Sequence, residues 1–467
     1  MALFYKPADG WAGDFIPFYW DGTYHLFYIK DYRDEVKRGR GMSWHQVTTG
    51  DFFSFRDLGE AIPHGGEGEQ DLYVFTGSVM EDNGIFHIFY TGHNPSENWE
   101  PRQAIMHATS DDLVSWTKDT DFLIQSDGAR YEMDDWRDPY VFWNPDAGEF
   151  WMLVAARTRL GPSSRRGCLA LLSSDDLVRW DALDPFWAPG LYHTHECPDL
   201  FRWGDLWYLV YSTFTERFVT HYRMSESPSG PWRAPPNDTF DGRAFYAAKT
   251  SGDGRRRFSF GWNPTRKGET DSGEWQWGGS LVVHEILRHE DGSLGVRLPP
   301  EIGSTFTAIP GDQPNPKMGN WEREGNRLTA HSMDGFSWCE VGKIPETCKI
   351  STRIHAEEGT RGCGLILRCD EDLGGYYQVR LEPVNRRFVF DRWPRPGDQP
   401  FMLERPLVEG RGAGVDLEVI IDGSIMEIYA SGRAAMSARA YDHKEGHLGL
   451  FISEGSAAFE GTEISVL

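Results

Sequence analysis

Three acidic residues stand out because each lies in an aromatic or proline-marked segment near the start of a repeated strand pattern. Asp14 precedes Phe15-Ile-Pro-Phe-Tyr19, Asp138 lies in Trp136-Arg-Asp-Pro139, and Glu196 lies in His195-Glu-Cys-Pro198. Cleavage of a glycosidic bond needs two carboxyl groups: one protonates the leaving oxygen, and the other attacks the anomeric carbon or activates water. Together the three acids predict a site of this kind.

Each acid also has a plain structural interpretation. Asp14 could cap a turn, Asp138 could form an ion pair with Arg137, and Glu196 could accept a hydrogen bond from His193 or His195. The chain has 71 Asp and Glu residues, most of which must be solvated surface. Taken singly, the structural interpretations are favoured. The equivalent place of the three acids in a repeat favours the catalytic one.

A metal site is a weaker alternative for the same segment. His193, His195 and Glu196 offer three ligands within four residues, and alternation along a strand puts the two histidines on one face. No HExxH pattern or carboxylate-rich loop accompanies them. The sequence also has no GxSxG elbow, P-loop or dinucleotide fingerprint in a strand-to-helix context. We therefore expect no metal and no cofactor.

The elements that would position the acids come from a repeat in the first three hundred residues. A turn with Asp or Gly is followed by an alternating aromatic and aliphatic strand, in copies at Trp20–Tyr28, Asp82–Tyr90, Asp146–Val154, Trp203–Tyr211 and Gly252–Phe260. A second pattern alternates with the first, at Asp51–Phe55, Ser110–Trp116, Ser174–Trp180 and Ser227–Trp232. Copies about 50 to 65 residues apart leave room for four strands each. An all-β fold is predicted, beginning with a five-bladed β-propeller whose first strands line a central channel.

A second domain is expected after the propeller. Prolines punctuate the chain between Pro299 and Pro316, and alternating runs with glycine-bearing turns follow, such as Leu417–Ile421 and His447–Phe451. We predict a propeller over residues 1–300, a linker over 301–318 and a β-sandwich over 319–467.

Composition limits the classes of partner and the cellular location that can be expected. The formal charge is 47 minus 71, or −24, and the one basic cluster is Arg255–Arg257. Nucleic acid is therefore not expected as a ligand. The sequence has no run of about 18 apolar residues, so no membrane span is predicted. The six cysteines lack CxxC spacing, which favours buried free thiols. No basic and apolar leader opens the chain, so a cytoplasmic location is expected, or a secreted one if a leader has been removed.

As a set, these motifs resemble glycoside hydrolase family 32, which comprises invertases, inulinases and levanases. Arg137-Asp138-Pro139 and Glu196-Cys197-Pro198 match its two best-known signatures without a substitution. Further similar segments are Tyr24–Tyr28, Trp44-His45, Phe75-Thr-Gly-Ser78, Asp241 with Phe245-Tyr-Ala247, Gly261-Trp262, Trp277-Gly-Gly279 and Ile421–Tyr429. The resemblance implies a five-bladed propeller followed by a β-sandwich.

The resemblance also implies roles. Asp14 would be the nucleophile, Glu196 the acid and then the base, and Asp138 a stabiliser of the oxocarbenium-like state. Substrate-binding residues would be Trp44, Phe75, Ser78, Arg137, His195, Tyr246 and Trp277. One segment departs from the family: Trp11-Ala-Gly-Asp14-Phe-Ile-Pro17 replaces Trp-Met-Asn-Asp-Pro-Asn-Gly and loses two asparagines that contact the sugar. Asp21, the alternative nucleophile, lies in a hairpin turn and is predicted to be structural.

The resulting hypothesis is a retaining glycoside hydrolase that releases terminal β-fructofuranosyl units from sucrose, fructo-oligosaccharides or fructans of the inulin and levan types. Two enzyme alternatives remain open, a fructosyltransferase that forms difructose anhydrides or oligosaccharides and a furanosidase of the family 43 type. A carbohydrate-binding protein without turnover is the alternative outside enzymes. A homodimer is compatible with the sequence, which does not determine the role of the second domain.

Overall fold

The computed structural model describes residues 3–97, 99–407 and 414–467, and the first part of the chain forms five propeller blades, two of which share one sheet. Blade one contains β1 (Trp11–Trp20), β2 (Thr23–Asp31), helix α1 (Glu35–Arg38), β3 (Ser43–Thr49) and β4 (Arg56–Ile62). Blade two contains β5 (Tyr73–Asp82), β6 (Ile85–His93), β7 (Gln103–Ser110) and β8 (Thr117–Ile124). Blade three contains β9 (Tyr131–Asn144), β10 (Glu149–Thr158), β11 (Gly167–Ser174) and β12 (Asp181–Ala182).

The last two blades close the ring. Blade four contains β13 (Glu196–Trp203), β14 (Leu206–Thr213) and β15 (Val219–Ser225), and bridges from β15 to Arg233 and Thr239 stand in for an outer strand. Blade five contains β16 (Tyr246–Gly252), β17 (Arg257–Arg266), β18 (Trp275–Arg288) and β19 (Leu294–Arg297). Strand β1 also pairs with β18, through Ala12 and Gly279, so blades five and one join. The predicted propeller is confirmed.

Both sequence repeats have a structural basis. Each copy of the first repeat is the hairpin turn and second strand of one blade, as at Asp21-Gly22 between β1 and β2, where both residues have positive φ. The second repeat closes three blades before their outer strands, because the carboxylates of Asp51, Asp112 and Asp176 accept backbone N–H groups two and three residues ahead.

A β-sandwich follows, also as predicted. Its strands are β20 (Thr307–Ala308), β21 (Asn315–Met318), β22 (Trp321–Glu324), β23 (Arg327–Lys343), β24 (Thr347–Ala356), β25 (Gly362–Cys369), β26 (Tyr376–Glu382), β27 (Arg387–Trp393), β28 (Leu403–Pro406), β29 (Val415–Asp422), β30 (Ile425–Ala430), β31 (Ala434–Arg439) and β32 (His447–Val466). The first half of β32 pairs with β25 and its second half with β24, so this one strand joins the two sheets. Between the sheets lies an aliphatic core that includes Leu365, Val419 and Ile452.

The segment between the two folds is short and partly paired. Helix α2 (Pro300–Gly303) follows β19, and β20 then pairs with the end of β32. The segment predicted as a linker, 301–318, therefore includes residues of the second sheet system, and the division of the chain into 1–300 and 319–467 stays a prediction. Both α-helices in the described residues are four residues long, and none there is long and apolar enough to cross a membrane.

The two domains share a buried interface. Ile420 and Tyr429 of the sandwich belong to the same apolar core as blades one, four and five. Arg439 donates to the carbonyl of Asn263 over 3.0 Å, and Arg405 donates to the carbonyl of Thr239 over 2.8 Å. All six cysteines are buried and free, as the sequence favoured.

Candidate active site

A bulge recurs in the innermost strand of every blade and turns side chains into one end of the channel. The register shifts at Gly13–Ile16 in β1, Phe75–Gly77 in β5, Glu196–Asp199 in β13 and Tyr246–Lys249 in β16, and β9 shifts at Asp138. Four bulged residues have positive φ, namely Asp14 at 48°, Asp138 at 59°, Cys197 at 50° and Ala247 at 48°. A bulge breaks the alternation of side chains and re-aims a residue, so each blade contributes a group to the same place.

Asp14 is held by two donors from other blades. Its Oδ1 accepts the indole N–H of Trp262 over 2.9 Å, and its Oδ2 accepts the hydroxyl of Thr76 over 3.0 Å. Burial raises the pKa of Asp14 to about 7, and the nearby charges of Asp138 and Glu196 act in the same direction. Burial and the two neighbouring acids therefore oppose ionisation of Asp14, and its ionised form needs stabilising contacts.

Asp138 and Arg137 point in different directions from one bulge. The Asp138 Oδ2 accepts the backbone N–H of Cys197 over 2.9 Å, which ties β9 to β13. The Arg137 guanidinium donates to Glu196 Oε1 over 2.9 Å and to Asp135 Oδ1 over 2.5 Å, whereas its Nε lies 3.9 Å from Asp138. Arg137 thus donates to Asp135 and Glu196 rather than to Asp138. Their charges raise its pKa despite its burial.

Glu196 receives two strong donors and keeps part of its side chain open. Its Oε1 accepts from Arg137, and its Oε2 accepts the hydroxyl of Tyr246 over 2.6 Å. Its side chain keeps 18% exposure, against 4% for Asp138. Burial raises the pKa of Glu196, and the Asp138 charge adds to this while Arg137 and Tyr246 oppose it. A carboxyl that holds a proton beside a cavity suits general acid catalysis.

The three acids line one cavity of about 540 Å³. Four of the predicted substrate-binding residues also line it, namely Phe75, Arg137, Tyr246 and Trp277. Its other lining residues are Ile29, Met42, Thr76, His93, Gln103, Asp135, Cys197, Phe214, Phe218 and Ala247. Their types alone did not mark them, because most are apolar residues that also suit a core. The positive φ of Cys197 and Ala247 belongs to the bulges, which no sequence pattern predicts.

Three predicted substrate-binding residues do not line the cavity. Trp44 is fully buried, and its indole N–H donates to the carbonyl of Phe75. The Ser78 hydroxyl accepts the backbone N–H of Val141. His195 is also fully buried and packs on Trp187 and Tyr211. Trp44 and Ser78 thus hydrogen-bond the backbone of β5 and β9, and their predicted sugar contact stays a prediction.

The histidine pair does not form a ligand set with Glu196. His193 lies 2.6 Å from the Arg157 guanidinium through Nδ1, while both ring nitrogens of His195 lack a hydrogen-bond partner in the described part of the chain. Burial lowers the pKa of His195 to about 3, so the ring is neutral. Neither histidine donates to Glu196 in the described hydrogen bonds.

The ring of Trp277 packs against Gly13, the residue before Asp14. A Cβ on Gly13 would lie 2.6 Å from Cζ2 of the Trp277 indole, so no side chain fits at position 13 while this ring stays in place. Arg33 holds the tryptophan's backbone by donating to the carbonyls of Trp277 over 2.5 Å and Gly278 over 3.2 Å. An aromatic wall therefore occupies the space that a side chain at position 13 would need.

Comparison with known proteins agrees with this architecture. The model of the glycosyl hydrolases family 32 N-terminal domain matches residues 4–296, and the model of the family 32 C-terminal domain matches residues 318–466. A sucrose-6-phosphate hydrolase of Escherichia coli is 25% identical over 97% of this chain and 92% of that protein, and a raffinose invertase of Escherichia coli is 25% identical over 97% and 91%.

Solved structures show the same fold. An exo-inulinase from Aspergillus awamori superposes with a TM-score of 0.76 at 18% identity, covering 100% of this chain and 98% of that one. Fructan 1-exohydrolase IIa from Cichorium intybus superposes with a TM-score of 0.72 at 18% identity, covering 98% and 96%. With both domain models matched in order along nearly the whole chain, the protein belongs to glycosyl hydrolase family 32 and is a glycosidase.

Proposed function

We propose that the protein hydrolyses the terminal fructosyl bond of sucrose and fructans through a covalent intermediate on Asp14. The observation that carries this is the convergence of Asp14, Asp138 and Glu196, from blades one, three and four, on one cavity. The named relatives include an invertase and a sucrose-6-phosphate hydrolase, which supports a fructosyl unit as the group released.

The first step divides the work between two carboxyls. An oxygen of ionised Asp14 attacks the anomeric carbon of the fructosyl unit, and the glycosidic bond breaks as protonated Glu196 gives its proton to the leaving oxygen. Trp262 and Thr76 orient the Asp14 carboxylate, since each occupies one of its oxygens. The alcohol part of the substrate leaves with the proton from Glu196.

The second step returns the protein to its starting state. Ionised Glu196 removes a proton from water, the water oxygen attacks the anomeric carbon, and the ester bond to Asp14 breaks. Arg137 and Tyr246 stabilise the ionised form of Glu196 in this step, because both donate to its oxygens. Asp138, fixed by the Cys197 N–H, supplies a carboxylate for hydroxyl groups of the sugar and for its developing positive charge.

We propose unphosphorylated substrates. Arg137 is the one Lys or Arg among the described residues that line the cavity, and it is engaged by Asp135 and Glu196. The nearby arginines Arg157 and Arg166 pair with Glu132. A phosphate group would find no unpaired cation among these lining residues, whereas Phe75 and Trp277 offer rings on which a neutral sugar stacks.

The test is fructose release from sucrose, 1-kestose, inulin and levan, with sucrose 6-phosphate as the charged competitor. We expect fructose from the neutral substrates and a lower kcat/KM for sucrose 6-phosphate. Asp14→Asn and Glu196→Gln should abolish release, and Asp21→Asn, a matched change in an exposed turn, should retain it. Trapping a fructosyl ester on Asp14 by mass spectrometry of the denatured, digested protein would identify the intermediate.

Several results would overturn parts of this proposal. Normal rates in Asp14→Asn would exclude the assigned nucleophile. A first product of inverted configuration, seen by polarimetry, would exclude the covalent intermediate. A preference for sucrose 6-phosphate would exclude the assignment of neutral substrates. Oligosaccharides formed in place of free fructose would identify a transferase.

A further inference from the structure

A fully buried lysine lies in the channel next to the proposed catalytic acids and has no part in the steps above. Lys249 keeps 3% exposure, and its ammonium makes one hydrogen bond, to the carbonyl of Pro198 over 2.7 Å. An ammonium has three protons to donate, and removing it from water is costly unless charges of opposite sign surround it. The position of this charge therefore calls for an electrostatic explanation.

The inner strands place Lys249 one layer deeper than the acids. Tyr246, which contacts Glu196, and Lys249 lie on the same strand β16, on either side of its bulge. Pro198 lies two residues beyond Glu196 on β13, and Tyr140, whose ring centroid is 5.3 Å from the Lys249 nitrogen, lies two residues beyond Asp138 on β9. Lys249, Pro198 and Tyr140 do not line the cavity, so the ammonium lies behind the carboxyl layer.

The surroundings of Lys249 carry an excess of acids. Burial lowers the pKa of Lys249, while Cys197 and the carboxylates of Asp199, Asp138 and Asp14 act in the opposite direction. Asp199 adds to this layer with one oxygen that has no hydrogen-bond partner in the described residues. The charged and titratable groups around the two layers are Asp14 on β1, Arg137, Asp138 and Tyr140 on β9, Glu196, Cys197 and Asp199 on β13, Tyr246 on β16 and Arg257 on β17.

Packing alone does not account for a lysine here. A methionine has a similar shape and would fill the same space without burying a charge. Arg137 is committed to Glu196 and Asp135, so it leaves Asp14 with two neutral donors, Trp262 and Thr76. Resting on the function proposed above, we propose that Lys249 is a positioning residue whose buried charge, anchored on the Pro198 carbonyl, keeps the Asp14 nucleophile ionised next to Asp138 and Glu196.

The experiment is the pH dependence of kcat/KM for sucrose in Lys249→Met. Loss of a positive charge makes the Asp14 carboxylate less stable, so the acid limb should move to higher pH by about one unit, the size that one charge several ångströms away produces in a protein interior. Lys249→Arg retains the charge and should keep the limb within about 0.3 unit of the unchanged protein. Lys118→Met is the matched control. Lys118 lies on the outer strand β8 and pairs with Asp71, so its loss should leave the pH profile unchanged.

The sign of the shift separates this role from a purely structural one. A site loosened by the substitution would admit water, which lowers the pKa of a buried carboxyl and moves the acid limb to lower pH. An acid limb within 0.2 unit of the unchanged protein, or moved downward, in a folded Lys249→Met would overturn the proposal. If the methionine variant does not fold, Lys249→Gln is judged by the same limits. Activity retained in Asp14→Asn would instead overturn the proposed function, so the two failures are distinguishable.

Discussion

The molecule contains two clusters of buried carboxyls that differ in what satisfies them. In the channel, Asp14, Asp138 and Glu196 line a cavity, and Asp14 and Glu196 each receive two donors. At the domain interface, Asp241 of the propeller lies beside His284 on β18 and beside Glu427 and Ser437 of the sandwich, and ligand atoms of the two acids and the histidine lie within 4.8 Å of one another. Burial of acids is common to both clusters, and access from a cavity is found in the first.

In the interface cluster, donors occupy both oxygens of Asp241, whereas Glu427 keeps one buried oxygen without a partner in the described residues. Asp241 Oδ1 accepts the backbone N–H of Ser437 over 2.8 Å, and its Oδ2 accepts from the Ser437 hydroxyl over 2.8 Å and from His284 over 3.0 Å. The other ring nitrogen of His284 lies 3.0 Å from the hydroxyl of Tyr429. Burial acts to raise the pKa of Asp241, but His284 and the other partners lower it overall. With so many donors already bound, this carboxylate serves to join two domains.

The largest expected effect separates chemistry from stability. Asp14→Asn should reduce kcat/KM for sucrose by roughly 10⁴-fold, as removal of a nucleophile does. The free energy of unfolding should be equal or higher, because an amide in this place does not carry the charge that Asp138 and Glu196 oppose. Initial rates and thermal unfolding of the same preparation check both parts. A large loss of stability would mean that this carboxylate is structural, like Asp241.

The reverse result is expected at the interface. Asp241→Ala leaves His284 and the Ser437 donors without their acceptor, and loss of one member of a buried charged network costs about 3–5 kcal/mol. Chemical denaturation should show this loss, and the folded fraction should keep its kcat because the residue does not line the cavity. Ser437→Ala, which removes the hydroxyl and keeps the backbone donor, should cost less. A lost kcat in folded Asp241→Ala would show that the two clusters are coupled.

A smaller effect is expected at the cavity wall. Gly13→Ala places a methyl 2.6 Å from the Trp277 ring, so the indole must move, and overpacking of this kind costs about 1–3 kcal/mol. Because Trp277 lines the cavity, we expect a higher KM for sucrose with a smaller change in kcat. Gly311→Ala, at an exposed glycine without positive φ and with no heavy atom within 4 Å of its Cβ position, tests the cost of the residue change itself. An unchanged KM would mean that the sugar does not contact this wall.

Local sequence patterns predicted the propeller and the three acids of the cavity. The bulges and Lys249 were not predicted, because they depend on contacts between strands. Turns such as Asp21-Gly22 repeat because each hairpin needs positive φ, so the blades can be counted from the chain. Asp138 and Glu196 lie in the short motifs Arg137-Asp-Pro139 and Glu196-Cys-Pro198, which can be recognised in the sequence. The bulges, by contrast, depend on pairing between strands, and Lys249 acquires its surroundings only when β9, β13 and β16 meet in the channel. His195 does not line the cavity and packs on Trp187 and Tyr211, so its predicted sugar contact stays a prediction.

The smallest expected effect concerns the proton in the interface cluster. The Ser437 hydroxyl lies 2.8 Å from Asp241 Oδ2 and 2.7 Å from Glu427 Oε2, but it has one proton, so a second proton must come from Glu427. Burial and the Asp241 charge raise the pKa of Glu427 well above its usual value. A carboxyl with a raised folded-state pKa contributes most to stability below its unfolded pKa, and this contribution is lost as the pH rises. Glu427→Gln can donate to Ser437 without binding a proton, so its Tm should exceed that of the unchanged protein by about 2 °C at pH 7 to 8, the shift that ~1 kcal/mol produces in a large domain. Scanning calorimetry from pH 4 to 8 should show the difference vanish near pH 4, where the glutamate is protonated in both states. A difference that is independent of pH would mean that Glu427 is ionised in the fold and that the interface cluster, like the one in the channel, holds an unbalanced charge.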